Sequence, residues 1–260
     1  MVVQKCWGSR QYAETVNALR EKFDLDPQYA ALLDQSDFDN IQQDGMQFLE
    51  ALDRVRAIRR ELSTLDVFQE DQRLGATSAI RMMEALAAKQ ERAYERLYHW
   101  LQTHLHLNSQ QQQEVDPDAM DEALSHPFVR QALITLQHVP AFYSHTLEMI
   151  ATSRRLEVTR RFLLALTSGY DGNAPMEMKA HDPVSYVGDM LAFCFQCCSV
   201  EADNVRRIVI CDEDNVENHD ENAITEEIAM TAADMLAHAM SGIAWPLKSR
   251  LLQVVASLAC

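Results

Sequence analysis

Gln47-Phe-Leu-Glu-Ala-Leu-Asp-Arg-Val-Arg-Ala-Ile-Arg-Arg-Glu-Leu-Ser-Thr-Leu65 decides the fold class. Its apolar residues Leu49, Leu52, Val55, Ile58, Leu62 and Leu65 recur every three or four positions. At 3.6 residues per turn that spacing gathers them on one side of a helix. Arg54, Arg56, Arg59 and Arg60 fall elsewhere around it. The same period runs from Ser78, placed to cap, through Ile80, Met83, Ala87, Tyr94, Leu97 and Leu101 to Leu105. That is about 28 residues, or roughly 42 Å at 1.5 Å per residue. Helices of this length suit bundles or rods.

Further along, Asn108 to Glu114 is a polar, Gln-rich linker, and Asp116-Pro117 starts a helix with a cap followed by proline. His126-Pro127 breaks or kinks it. A long helix follows Pro140, with Phe142, Leu147, Ile150, Val158, Phe162 and Leu166 as its expected core positions. Ser168-Gly169 ends it, and 169–180 reads as a loop. His181-Asp-Pro-Val-Ser-Tyr-Val-Gly-Asp-Met-Leu-Ala-Phe193 then opens another helix, with Asp182 as the cap and Pro183 at the first helical position. From Glu201 to Glu227 ten acidic residues face only Arg206 and Arg207, the composition of a solvated loop, centred on about 201–222. Two helices are expected after it, Ile224 to Met240 and Trp245 to Leu258. The second carries an apolar stripe of Leu247, Leu251, Val254 and Leu258 with no partner identified in the chain. The expected fold is all-α, some seven helices joined by short links, without a fixed-period repeat.

Composition agrees. Of 260 residues 47% are hydrophobic, enough for a sizeable core, and only 7 are Gly and 7 Pro. A formal charge of −16 argues against nucleic acid as a partner, because phosphate binding needs a basic surface. The first residues carry no apolar signal-peptide core, and no apolar run approaches the roughly 18 residues of a membrane span. A cytosolic protein with reduced thiols and at most peripheral membrane contact is expected.

Little in the sequence suggests a reaction centre. Cys194-Phe-Gln-Cys197-Cys198 has a Cys-x-x-Cys spacing, but zinc lacks two further ligands and a thioredoxin-like site lacks its βαβ unit. Packing of small thiols on a helix face is the preferred reading. His99, His104 and His106 crowd one helix end without a His-Glu-x-x-His pattern. The stretch Asp212 to Ala223 lacks the glycine and the closing glutamate of a calcium loop. Arg154, Arg155, Arg160 and Arg161 form two pairs two helical turns apart, a candidate contact for anionic headgroups or an acidic partner helix, set against ordinary solvent exposure. No catalytic residue, cofactor site or metal site is expected.

His181 to Phe193 resembles a signature of the conserved oligomeric Golgi complex subunit 6 family. Four further stretches resemble it in the same order: Gly45 to Ile58, Ala93 to Trp100, Thr146 to Thr167 (broken at residues 156–159) and Pro246 to Arg250. The resemblance implies elongated stacked helical bundles of the helical-rod tether type, with no enzymatic activity and no cofactor. It implies contacts with the other subunits of a Golgi tethering complex, and through them with SNAREs, Rab GTPases and coat proteins. The work implied is retrograde vesicle tethering within the Golgi, at the cytosolic face of its membranes. His181, Asp182, Pro183, Tyr186, Gly188 and Asp189 match the signature, for packing or for partner contact. Family members are longer, so the chain reads as a central portion. Residues 1–44 match poorly, 45–168 form a first helical portion, 169–180 a loop, and 181–260 a second helical portion that stops inside a helical pattern. The alternatives are a scaffold subunit of another helical-rod tether, exocyst-like, or a trafficking adaptor, and, in another class, a metalloprotein using the cysteines and histidines.

Overall fold

The computed structural model describes residue 17 and residues 23–34, 41–64, 73–105, 123–209 and 230–259. Among the described residues the elements are α-helices and one 3-10 turn, with no strand. The helices are α1 (Pro27–Asp34), α2 (Ile41–Thr64), α3 (Arg73–His104), α4 (Pro127–Leu136), α5 (Pro140–Thr167), α6 (Pro183–Val209) and α7 (Ala232–Leu258), with the 3-10 turn at Met176–Lys179. The all-α expectation holds. The chain divides into two compact units, 1–100 and 101–260.

In the first unit the stripe that decided the fold class is the buried side of α2. Leu49, Leu52, Val55, Ile58 and Leu62 are all buried, joined by Phe48 and Ala51. Leu86, Ala93, Tyr94 and Leu97 of α3 are buried in the same way, whereas Ile80, expected in the core, is exposed. Polar links tie α1 and α2 to α3. Lys89 Nζ donates to Asp34 Oδ2 at 3.0 Å, Arg96 donates to the Leu33 carbonyl, and Arg59 donates to Gln90. The Arg96 guanidinium also lies 5.4 Å from the Phe48 ring centroid, within cation–π range. Leu65, the linker at Asn108 and the start at Asp116-Pro117 lie outside the described residues.

In the second unit His126-Pro127 interrupts the helix, as expected, and also starts α4. His126 Nδ1 accepts from Phe128 N at 3.3 Å, with Pro127 in the first turn. Helix α5 buries Leu147, Ile150, Val158, Phe162 and Leu166, while Phe142 is only half-buried. Its end is fixed by backbone chemistry. The N–H groups of Ser168 and Gly169 both donate to the Leu164 carbonyl, and Gly169 sits at φ +92°. A Cβ there would fall 2.3 Å from the Asn173 carbonyl oxygen, so this turn requires glycine.

Helix α7 begins with a reciprocal capping box between Thr231 and Asp234. It runs to Leu258 as one helix, where two were expected. Pro246 lies within it without ending it. An internal proline costs about 3 kcal/mol. Burial of Ile243 before it and packing of Leu247, Leu251 and Val254 after it offset that cost. Three of the four residues of the supposedly unpartnered stripe therefore face the core, and Leu258 alone is exposed.

The acidic segment differs too. Helix α6 continues to Val209, well past the expected loop start at Glu201. The cause is burial: Glu201, Val205 and Ile208 all face inward. Residues 210–229, which hold most of the acidic run, lie outside the described residues.

Candidate interaction surface

The second unit is built on α5, α6 and α7. Val158, Phe162 and Leu166 of α5 pack with Tyr186 and Met190 of α6 and Ile243 of α7. Phe193 extends this core, its ring 5.9 Å from Phe162 and 6.2 Å, edge-on, from Tyr170. Gly242 sets how closely α7 approaches α5. A Cβ at Gly242 would fall 2.0 Å from Thr159 Oγ1 and 3.0 Å from the Arg155 carbonyl oxygen.

The signature stretch occupies the first turns of α6 and divides by face. Asp182 caps the helix, its Oδ1 3.4 Å from Ser185 N and its carbonyl accepting from Tyr186 N at 2.9 Å. Pro183 follows where no N–H partner is needed. His181 Nδ1 lies 3.1 Å from the Met178 carbonyl oxygen, anchoring the incoming 3-10 turn. Tyr186 points inward, and burial pushes its phenol above the usual range. Asp189 accepts from Lys179 Nζ at 2.7 Å. Arg250 of α7 meets Glu177 of the 3-10 turn at 2.5 Å. Gly188 faces outward, with nothing within 4 Å of where a Cβ would stand.

The arginine pairs are not a four-cation surface. Arg154 is 1% exposed and grips Glu201 of α6 with two bonds, Nε to Oε2 at 2.9 Å and Nη2 to Oε1 at 2.5 Å. A planar guanidinium matches a carboxylate in this fork geometry, and the pair joins α5 to α6 inside the unit. Arg161 is also buried and donates to Glu157 Oε1 at 2.7 Å. Arg160 is exposed and holds the same carboxylate at 2.9 Å through both Nε and Nη2. Burial pushes the Glu157 carboxyl up, but Arg160 and Arg161 outweigh it and hold it below its usual value. Arg155 is exposed beside α7. The sequence carried the signal. Arg154 and Arg161 fall in phase with Leu147, Ile150, Val158 and Phe162, so the period places them inward.

A cleft of about 700 Å³ opens between α5, the 170–180 segment and α6, lined in part by Arg161, Tyr170, Met176, Lys179, Phe193 and Cys197. The Arg161, Lys179 and Glu201 charges on its wall each meet an opposite charge, in Glu157, Asp189 and Arg154. Burial pushes the Cys197 thiol to about 11 and raises that of Cys194, which keeps both protonated and poor as nucleophiles or ligands. Among the described residues no group of three His, Cys, Asp or Glu side chains is arranged to hold a metal ion. No described helix is long and apolar enough to cross a membrane.

The unit also presents large apolar side chains outward. Val184 (83% exposed), Leu191 (50%) and Phe195 (79%) stand on the outer side of α6, and Trp245 (76%), Leu252 and Val255 stand out on α7. Exposed large apolar side chains aligned along a helix mark contact surfaces. Fold and surface together define a helical-bundle protein with large apolar side chains exposed on α6 and α7.

Comparison with known proteins makes this specific. Residues 76–259 match the family described as Conserved Oligomeric Golgi complex subunit 6, C-terminal, and the chain belongs to that family. The human protein named conserved oligomeric Golgi complex subunit 6 is 31% identical over 245 residues, 94% of this chain and 33% of its own length. The Drosophila melanogaster protein of that name is 31% identical over 207 residues, 78% of this chain and 28% of its own length. The Arabidopsis thaliana protein is 30% identical over 217 residues, 81% of this chain and 30% of its own length. The chain spans about a third of the length of these relatives. No solved structure matches it.

Proposed function

We propose that the chain serves as a non-enzymatic subunit of the conserved oligomeric Golgi tethering complex, working in retrograde vesicle tethering within the Golgi through protein contacts. The observation that carries this reading is membership of the subunit 6 family over residues 76–259. The chemistry supports it. The candidate reactive groups of the second unit are neutralised by pairing or held protonated by burial, while large apolar side chains face outward. On this reading membrane association is peripheral, at the cytosolic face of the Golgi, and SNAREs, Rab GTPases and coat proteins are reached through the complex. His181, Asp182, Pro183 and Tyr186 fix the start of α6, and Gly188 belongs to its outer face.

The test is co-expression of residues 1–260 with the other subunits of the complex, followed by affinity purification and mass spectrometry. Recovery of those subunits is the expected result. A folded, helical chain that recovers none of them, or that recovers exocyst subunits in their place, would overturn the reading.

A further inference from the structure

Where α2 of the first unit meets α3, a cluster of hydrogen-bond donors lacks an acceptor. Tyr94 of α3 is 3% exposed, and its hydroxyl makes no hydrogen bond. Arg59 of α2 donates through Nη1 to Gln90 Oε1, but its Nε–H is buried and makes none. Gln90 stands one turn before Tyr94 on the same face of α3, so Arg59 and Tyr94 both border it. The Gln90 amide is close enough to act on the Tyr94 phenol, yet forms no hydrogen bond of good geometry with it. A buried donor without an acceptor costs about 1–3 kcal/mol. Folded proteins keep few of them, so two around one side chain call for a physical cause.

The surroundings are cationic. Burial pushes the Tyr94 phenol up, Arg56 and Arg59 pull it down, and Asp53 pushes it up again, so these three charges lie near the hydroxyl. Asp53 is already engaged, its Oδ1 accepting from Arg56 Nη1 at 2.9 Å. Arg60, one turn on from Arg56, is exposed. Among the described residues Arg56 has a carboxylate partner, and Arg59 and Arg60 have none. A water molecule would satisfy the orphan donors and leave that charge unbalanced. An oxyanion does both.

We propose that this cluster is a binding site for a phosphate group, held by the guanidinium groups of Arg56 and Arg59 and the Tyr94 hydroxyl, with Arg60 at its mouth. Gln90 is the plug. Both Gln90 and Arg59 are half-buried, so the amide has a way out to solvent, and it vacates a space of about a phosphate's size. In its place the phosphate oxygens accept from Arg59 side-on, through Nε and an Nη, the fork in which arginine meets phosphate. Another oxygen accepts from Tyr94. A phosphate monoester carries about −1.5 to −2 charge at neutral pH, which the two arginines without a carboxylate balance. The shared chemistry is the phosphate, whether a free ion or an ester. The site is independent of the tethering function, so the failure of one leaves the other standing.

Calorimetric titration of the 260-residue chain with inorganic phosphate, at an ionic strength held constant with chloride, should show one site. The thermal midpoint should rise with phosphate concentration, because only the folded chain assembles the cluster. Tyr94→Phe should be as stable as the unaltered chain without phosphate, since the hydroxyl it removes has no partner, and should bind phosphate about fivefold more weakly. Arg59→Gln should weaken binding tenfold or more with helicity retained. Gln90→Ala removes the plug and should bind more tightly, a sign that a merely structural role for Gln90 would not produce. Equal affinity for inorganic phosphate and glycerol phosphate would assign the site to the free ion, and tighter binding of glycerol phosphate to an ester. No binding by the unaltered chain at tens of millimolar phosphate overturns the site, as does unchanged binding in both Tyr94→Phe and Arg59→Gln. Weaker binding by Gln90→Ala contradicts the proposed seat. A Tyr94→Phe chain that is clearly less stable without phosphate overturns the site too, because its hydroxyl would then be satisfied within the chain.

Discussion

At Gly242 of α7 an added methyl would land 2.0 Å from Thr159 Oγ1, whereas at Gly188 of α6 it would meet nothing within 4 Å. Both glycines lie well inside long helices, where the residue is unfavourable by about 1 kcal/mol relative to alanine. They offset that cost differently. Gly242 lets two helices of the bundle approach, so its benefit is collected within the chain. Gly188 has no such contact among the described residues, and stands on the exposed side of α6 beside Val184 and Leu191. A glycine that the bundle's packing needs and one that it does not thus separate by where a substituted atom would go.

Breaking the inner side should cost most. Arg154→Ala leaves Glu201 buried and unpaired, a change worth about 3–5 kcal/mol, read as a lower urea midpoint. Replacing both, Arg154→Met with Glu201→Leu, should recover most of that loss, because the expense lies in the orphaned charge. Gly242→Ala ranks next. It forces Thr159 and the backbone at Arg155 apart at the α5–α7 crossing, and overpacking of this kind costs about 1–3 kcal/mol in unfolding experiments. Gly188→Ala should reverse the sign, stabilising the chain by about 1 kcal/mol through helix propensity alone. The smallest effect concerns acid. The Glu157 carboxyl is held low in the folded chain, so its contribution is fully present above its unfolded value near 4.5 and is lost as pH falls through the lower folded value. Glu157→Gln should therefore flatten the acid limb of the stability curve below about pH 4.5, by less than about 1 kcal/mol for such a partly exposed cluster.

The apolar period made most helices legible. The stripes of α2 and α5 were readable because residues three and four apart share a face and mostly reached the core. Local capping chemistry was legible for the same reason, since Asp182-Pro183 and Ser168-Gly169 act through their own backbone neighbours. What failed involved residues whose role depends on another helix. Arg154 looked like a surface cation because its partner Glu201 is 47 residues away and belongs to an acidic run. That run was read as loop from its charge, although Glu201 is the residue that ties α6 inward. Trp245-Pro246 looked like a break because packing on both sides cannot be seen from the dipeptide. Helix α6 carries apolar residues on two sides, Tyr186 and Met190 on one and Val184, Leu191 and Phe195 on the other, and the period alone does not choose between them. Only burial shows that the bundle uses the Tyr186 side.

Equilibrium urea unfolding of Gly188→Ala beside Gly242→Ala tests the division of α6 and α7 into inner and outer faces most directly. The structure predicts shifts of opposite sign, a higher midpoint for Gly188→Ala and a lower one for Gly242→Ala. A lower midpoint for both would mean that the outer side of α6 is packed within the chain, and would contradict the account.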